Sequence, residues 1–390
     1  MTPIRLLPIA LILLPALPVI ADDNPDPSRY WRHPICATLP EPVKGYVFTR
    51  SDGTMIRIFS NATRTARGDW DAIASGRVPW SEPRTMYEGG PPGIPEVDTA
   101  AQTNNGNFVV VYRDVSTRHF GWDPDWEWAP DLEIEWRQDA WAIRSADGGE
   151  TWDHRQPIYH GSFVGWLRET LVTRRNVVVV SVSEWRKPDH RFVTRTYTST
   201  DEGRTWQKSN AIDLGGRGNH DGAIEATLTE LSDGRLYMLI RTNLDRLWEA
   251  YSEDEGRTWL TIRPSIFDAS SSPAFIRRLK SGRHVMVWNR LYPEGLSEQE
   301  KASYPRRAGN NGVTQRPSNW QRNELSIVVS DDDCRTWTKP FVLLRDRKGE
   351  VVYQVIAEVK PGLIQIVGKT HDYLHVMIRE EDLLRVARPR

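Results

Sequence analysis

Between Gly218 and Trp259 the chain sets short apolar runs between turn residues. Ile224 to Leu231 predicts one strand, Ser232-Asp233-Gly234 a turn, Arg235 to Arg241 a second strand, and Leu247 to Tyr251 a third that leads into the octapeptide SEDEGRTW. This pattern predicts a meander of short antiparallel strands. The octapeptide recurs: SADGGETW at Ser145 to Trp152, STDEGRTW at Ser199 to Trp206, and SDDDCRTW at Ser330 to Trp337. The chemistry of its residues suits a hairpin clasp. A short carboxylate such as Asp254 accepts hydrogen bonds from its own turn, Gly256 supplies a positive φ, and Trp259 buries a large ring against the next strand. A motif that stands on unit after unit is structural rather than a single active site. In the fourth copy Cys334 occupies the glycine position, which predicts a distorted turn.

A repeat of roughly 50 residues, three or four strands with a fixed hairpin, is the signature of a propeller blade, whose apolar faces are buried only by its neighbours. The boxes resemble the Asp boxes of the sialidase family, S-x-D-x-G-x-T-W, and the strand pattern is similar from about Pro42 to the C-terminus. The resemblance implies an all-β, six-bladed β-propeller over residues 43–390. Its six blades are an unboxed one, with strands around Ser51-Asp52-Gly53 and a decayed box at Trp80-Ser81-Glu82-Pro83, the four boxed ones, and a last one from about Val351. In such a ring the termini meet in one blade or in adjacent blades.

Residues 1–21 read as a cleaved secretion signal. Arg5 precedes an apolar run from Leu6 to Ile20, and Val19-Ile20-Ala21 puts small residues before Asp22-Asp23. The run is too short and too proline-broken for a comfortable membrane span, so the expectation is a secreted or periplasmic protein without stable membrane insertion after cleavage. Residues 22–42 form a polar, proline-rich arm. Cys36 and Cys334, the only two cysteines, would meet an oxidising compartment and either pair or remain two free thiols. A net charge of −1 lacks the basic footprint of a nucleic-acid partner. Of the 17 tryptophans, four belong to the boxes, which reduces the apparent excess of sugar-stacking rings. Two long excursions, one holding Trp122, Trp126, Trp128 and Trp136 and one from Leu291 to Gln321, both leave from between the inner strands and the box-bearing strand, so they point to one face. The first offers stacking surfaces or packs as a lid. Its Asp123, Asp125 and Glu127 lack the glycine turn of a calcium loop.

What the sialidase resemblance implies about chemistry follows from the substrate. The scissile bond lies at an anomeric carbon bearing a carboxylate, so an anionic nucleophile is repelled, and the family uses a tyrosine assisted by a glutamate. Arginines clamp the carboxylate and an aspartic acid protonates the leaving oxygen. Carried over residue by residue, Glu225 in GAIEATLTELSDGR takes the glutamate's place and Tyr353 in VVYQVIAEV the nucleophile's. Arg241 in LYMLIRTN takes that of the second arginine, and Arg322 in RNELSIVVSDDDCRTW that of the third. Asp114 in VVVYRDVSTRH is the candidate acid, with Asp98 and His119 behind it; Arg113 serves the pocket or a salt bridge. Each has a plainer reading: Arg241 as a surface residue, Arg322 as the end of a polar loop, Tyr353 as core among valines, while Glu225 inside an apolar strand needs a partner. The departure is at the first arginine. Where the family carries Arg-Ile-Pro, this chain has Gly93-Ile94-Pro95, and Arg113 or Arg168 would have to compensate.

The expectation is therefore a retaining exo-glycosidase acting on a terminal sialic acid or related acidic sugar of a glycan, without metal or organic cofactor and with no oligomeric state specified. Two other functions remain open: a hydrolase or lyase for uronic-acid polysaccharide, with Tyr353, His119, His220 or His371 as acid–base groups, and a non-catalytic glycan-binding propeller.

Overall fold

In the computed structural model each predicted hairpin belongs to an antiparallel sheet, and six such sheets follow one another along the chain. The structure describes residues 29–38, 45–59, 61–68, 72, 77–86, 98–113, 138–153, 155–159, 164–186, 191–216, 221–306, 317–369 and 374–388. The fourth sheet runs Ile224–Glu230, Leu236–Arg241, Arg246–Ser252 and Leu260–Asp268, in the order of the chain. The inner strands of the others are Tyr46–Thr49, Thr99–Gln102, Val164–Val172, Phe275–Arg278 and Val352–Lys360. The fold is a six-bladed propeller. The N-terminal arm closes it: Tyr30–Arg32 pairs with Phe341–Asp346 as a fifth strand of the fifth blade, and Ala37–Thr38 pairs with Leu374–Arg379 as the fourth strand of the sixth. Arg29 anchors the arm on the fully buried Asp346 at 3.0 Å. The secretion signal and the tryptophan-rich excursion lie outside the described residues. Among those described, no helix is long and apolar enough to cross a membrane.

The boxes are the clasps their chemistry requires. In the third copy Asp254 Oδ1 accepts from Thr258 N at 2.7 Å and from Ser252 Oγ at 2.8 Å, while Ser252 Oγ accepts from Gly256 N at 2.8 Å. Glu255 and Gly256 are both left-handed, at φ 59° and 85°. Trp259 is 1% exposed and its Nε1 donates to Thr196 Oγ1 of the preceding blade at 2.7 Å, so the box fastens its own turn and the seam between two blades together. Asp254→Ala removes the turn's acceptor and is expected to cost about 1–2 kcal/mol of unfolding free energy, read from urea melts.

The fourth box corrects the expectation of a distorted turn. Asp333 and Cys334 adopt the same left-handed pair, φ 57° and 62°; Cys334 N donates to Ser330 Oγ at 3.0 Å and Thr336 N to Asp332 Oδ1 at 2.8 Å. The cysteine accepts the strain of a left-handed L-residue, about 1–2 kcal/mol, and offsets part of it by packing its side chain with Leu231 and Tyr237. It does not pair with Cys36; both thiols are free.

Five of the six seams are filled by apolar clusters, for example Val179, Leu228, Met238 and Trp259 between the third and fourth blades and Phe48, Ile56, Phe108 and Val110 between the first and second. Each buried aliphatic side chain there contributes about 1.5–3 kcal/mol. Among the described residues, the sixth seam, between last and first blades, holds the buried Met55 and Ala66, with Val47, Val78, Trp80 and Val359 beside them. His375 faces that seam, 5% exposed. Burial, and then Arg57, push its imidazole down to about 4. An unfolded histidine titrates near 6.5, so between those values the unfolded chain binds the extra proton. Stability is complete above pH 6.5 and falls as pH drops towards 4, by up to about 3 kcal/mol. Urea unfolding at pH 7 and pH 4.5 measures this difference, and His375→Gln is expected to remove most of it.

Candidate functional site

Strand alternation puts the chemistry at one end of the ring. Within a blade the inner strand starts at that end, the second strand returns to it, and the connection to the third strand lies across it; the boxes lie at the other end. Glu225 and Tyr353 stand at the starts of inner strands, Arg241 and Arg113 at the ends of second strands, and Arg322 just before the third strand Glu324–Ser330. All five converge on the same end, which is also where both excursions leave.

The backbone is locally bent to present the two central groups. Glu225 and Tyr353 lie in otherwise extended strands yet have φ of 48° and 53°. The ladder skips register at both places, between Ile224 and Thr227 and between Val352 and Val355. Each is a bulge that inserts a residue and re-aims its side chain. Left-handed backbone in bulky residues costs of order 1–3 kcal/mol and persists only where the surroundings enforce it. Here Glu225 N donates to Ser183 Oγ of the preceding blade at 2.9 Å.

Glu225 and Arg241 form an ion pair at 2.5 Å with side-chain exposures of 0% and 1%. Arg241 is therefore no surface residue. Only Oε2 is used; Glu225 Oε1 is buried without a hydrogen-bond partner. Arg241 Nη2 also donates to Ser271 Oγ at 3.0 Å, Ser271 Oγ donates to Asn243 Oδ1 at 2.6 Å, and Arg322 Nη2 donates to Ser271 O at 2.6 Å. Trp320 lies under both guanidiniums, 4.3 Å from that of Arg322 and 5.6 Å from that of Arg241. Burial and then Arg241 lower the pKa of Arg322, which stays cationic. Two like charges are thus held side by side by a shared serine and a shared aromatic face.

Tyr353 is surrounded by charge. Burial and then Glu225 raise its phenol above the ordinary value, while Arg241, Arg322 and Arg168 pull it back. The phenol is neutral at pH 7 and needs a base to become a nucleophile. Arg168 comes from another bulge, between Leu167 and Glu169, and sits 5.8 Å from the Tyr353 ring with Nη2 on Gln354 O at 2.6 Å. Arg113 is engaged by Asp98, Nη2 to Oδ1 at 2.6 Å and Nε to Oδ2 at 2.9 Å, and also donates to Gly165 O. Of its two expected roles the salt bridge is the one seen, although Arg113 remains within electrostatic reach of Glu225 and Tyr353. Asp114, Gly93, His119, His220 and His371 lie outside the described residues. Among those described, no group of three or more His, Cys, Asp or Glu side chains is arranged to hold a metal ion.

Ser271 and Trp320 were not legible as site residues. The run Ser270-Ser271-Ser272-Pro273 between blades was the available signal for the first. Arg168 carried the same signal as Glu225, a charge in an apolar strand.

Comparison with solved structures returns the same architecture. A protein of unknown function from Dyadobacter fermentans superposes with a TM-score of 0.56 at 14% identity, over 90% of this chain and 99% of that one. The Hadza microbial sialidase Hz136 gives 0.55 at 16% identity, over 87% and 66%. The intramolecular trans-sialidase from Ruminococcus gnavus, in complex with oseltamivir carboxylate, gives 0.53 at 12%, over 87% and 96%. At these identities the likeness concerns the fold. Among curated proteins no sequence matches significantly. The profile of BNR repeat-like domains matches residues 80–366, well over half of the sequence, and the chain belongs to that family, built on a sialidase-like six-bladed propeller.

Proposed function

We propose that this protein is a secreted exo-glycosidase that removes a terminal acidic sugar, of sialic-acid type, from glycans. The observation that carries the reading is the pair of left-handed bulges that turn Glu225 and Tyr353 towards one site beside two clamping arginines. Tyr353 attacks the anomeric carbon. Glu225 takes the phenolic proton through Oε1, the oxygen that Arg241 leaves open. Arg241 and Arg322 hold the substrate carboxylate, their charges relieved by it. Asp114 is proposed as the acid that protonates the leaving oxygen. With Arg113 committed to Asp98 and Arg168 lying against the Tyr353 ring, the clamp consists of two arginines rather than three. This tolerates a uronic acid as well, whose carboxylate asks for the same fork.

The test is release of fluorophore by the purified protein from an α-sialoside and, in parallel, from a glucuronide. Turnover of the sialoside supports the reading. Turnover of the glucuronide alone moves the substrate to uronic acids on the same residues. No turnover of either, with the protein folded, overturns catalysis and leaves a glycan-binding propeller.

A further inference from the structure

A cavity of about 920 Å3 occupies the middle of the ring, and Arg168 and Tyr353 both line it. Arg168 belongs to the inner strand of the third blade and Tyr353 to that of the sixth, and these blades stand opposite each other in a six-bladed ring. The Arg168 side chain spans the gap. Its Nη2 donates to the carbonyl of Gln354 at 2.6 Å, and its guanidinium carbon lies 5.8 Å from the Tyr353 ring and 5.5 Å from the Phe275 ring.

Two features set Arg168 apart from the other arginines of the site. The first is what it holds. Gln354 lies inside the bulge, directly after the left-handed Tyr353. The residue before Tyr353 and its neighbour are fixed from the fifth blade: Val351 N donates to Arg322 O at 2.7 Å, and Asn289 Nδ2 to Val351 O at 3.0 Å. Arg168 fixes the other flank, so the strained residue is gripped on both sides, as a left-handed tyrosine requires if it is to persist. The second feature is charge. Arg113 is paired with Asp98 and Arg241 with Glu225, and Glu169, the chain neighbour of Arg168, is taken by Arg277 at 3.4 Å. Among the described residues Arg168 has no ion pair, and its Nε is buried without a hydrogen-bond partner. A cation kept inside the ring without a carboxylate of its own favours negative charge on the group it faces.

We infer that Arg168 is the positioning residue for Tyr353: from across the ring it pins the bulge that aims the phenol and presents a positive charge to the phenolate as it forms. This rests on the reading of Tyr353 as nucleophile. Other charges face the phenol as well. Glu225 opposes its ionisation, Arg241 and Arg322 favour it, and Arg113 reaches it while tied to Asp98. Arg168 adds to the favourable set from the cavity side. Removing it disfavours the phenolate, so the phenol ionises at a higher pH. A unit charge about 6 Å away, at an effective dielectric constant of about 20, accounts for up to about two pH units, and solvent in the cavity reduces this.

The direct test needs no substrate. A fluorinated tyrosine, whose phenol ionises nearer neutrality, is incorporated at position 353 and titrated by fluorine NMR in the otherwise unchanged protein, in Arg168→Met and in Arg168→Lys. The expected result is ionisation about one pH unit higher in Arg168→Met, largely recovered in Arg168→Lys, which keeps the charge. On the acidic glycoside, Arg168→Met should lower kcat about 10²-fold, as for a misplaced reacting group, with KM changed less than about threefold. Should Arg168→Met not fold, Arg168→Gln serves the same comparison. Ionisation unmoved in the folded variant overturns the role, as does a raised KM with kcat intact, which would make Arg168 a substrate ligand. The expected ionisation shift in a protein without turnover supports the role of Arg168 towards the phenol and counts against the glycosidase reading alone.

Discussion

Tyr353→Phe is expected to lower kcat on the acidic glycoside by at least about a thousandfold while KM changes only a few-fold, as for removal of a group that acts only once the substrate is bound. The substitution deletes one oxygen and keeps the ring, so the contact with Arg168 and the left-handed bulge are retained. Because the phenol stands above its ordinary pKa, the proposed mechanism requires Glu225 to deprotonate it. Glu225→Gln should therefore depress kcat by about 10²–10⁴-fold, the range for a general base, without abolishing binding. Initial rates of the two variants, with near-ultraviolet circular dichroism as the check on folding, decide the matter. A Tyr353→Phe enzyme within tenfold of wild type would rule out the tyrosine as nucleophile.

The second large effect is on stability. Arg241→Leu leaves Glu225 buried, with its ion-pair partner gone, and is expected to cost about 3–5 kcal/mol of unfolding free energy. The pair itself is not the source of that number. Desolvating two charges consumes most of their attraction, so the double variant Glu225→Leu with Arg241→Leu should recover much of the loss while remaining inactive. That outcome would mark the pair as retained for function rather than for stability. Urea unfolding of the three variants gives the comparison; Arg241→Leu within about 1 kcal/mol of wild type would mean that water or another group reaches the carboxylate.

The relation between the two charges was half legible beforehand. Glu225 in an apolar strand announces a partner, since a lone buried charge is too costly. Arg241, sixteen positions on, is its natural hairpin partner once Ile224 is paired with Arg241. The bulges were not legible. Nothing in the alternation of IEATLTE or VYQVIAEVK marks a skipped residue, because a bulge is imposed by the strand across the ladder and by a neighbouring blade, as Ser183 does for Glu225. The same holds for Cys334, where the seam holds a cysteine in a conformation that local preference would deny it.

What the sequence by itself determined is the repeating unit: the strand runs, the turns, the four clasps and hence the number of blades. These are local properties of residues a few positions apart. The tertiary structure alone decided how groups far apart in the chain meet. It joined Arg241 and Arg322 through the carbonyl and hydroxyl of Ser271, tied Arg113 to Asp98, and sent the N-terminal arm into the last two blades. Ring closure is a long-range condition. Its geometry depends on the summed twist and packing of six sheets, and no single blade's sequence records it.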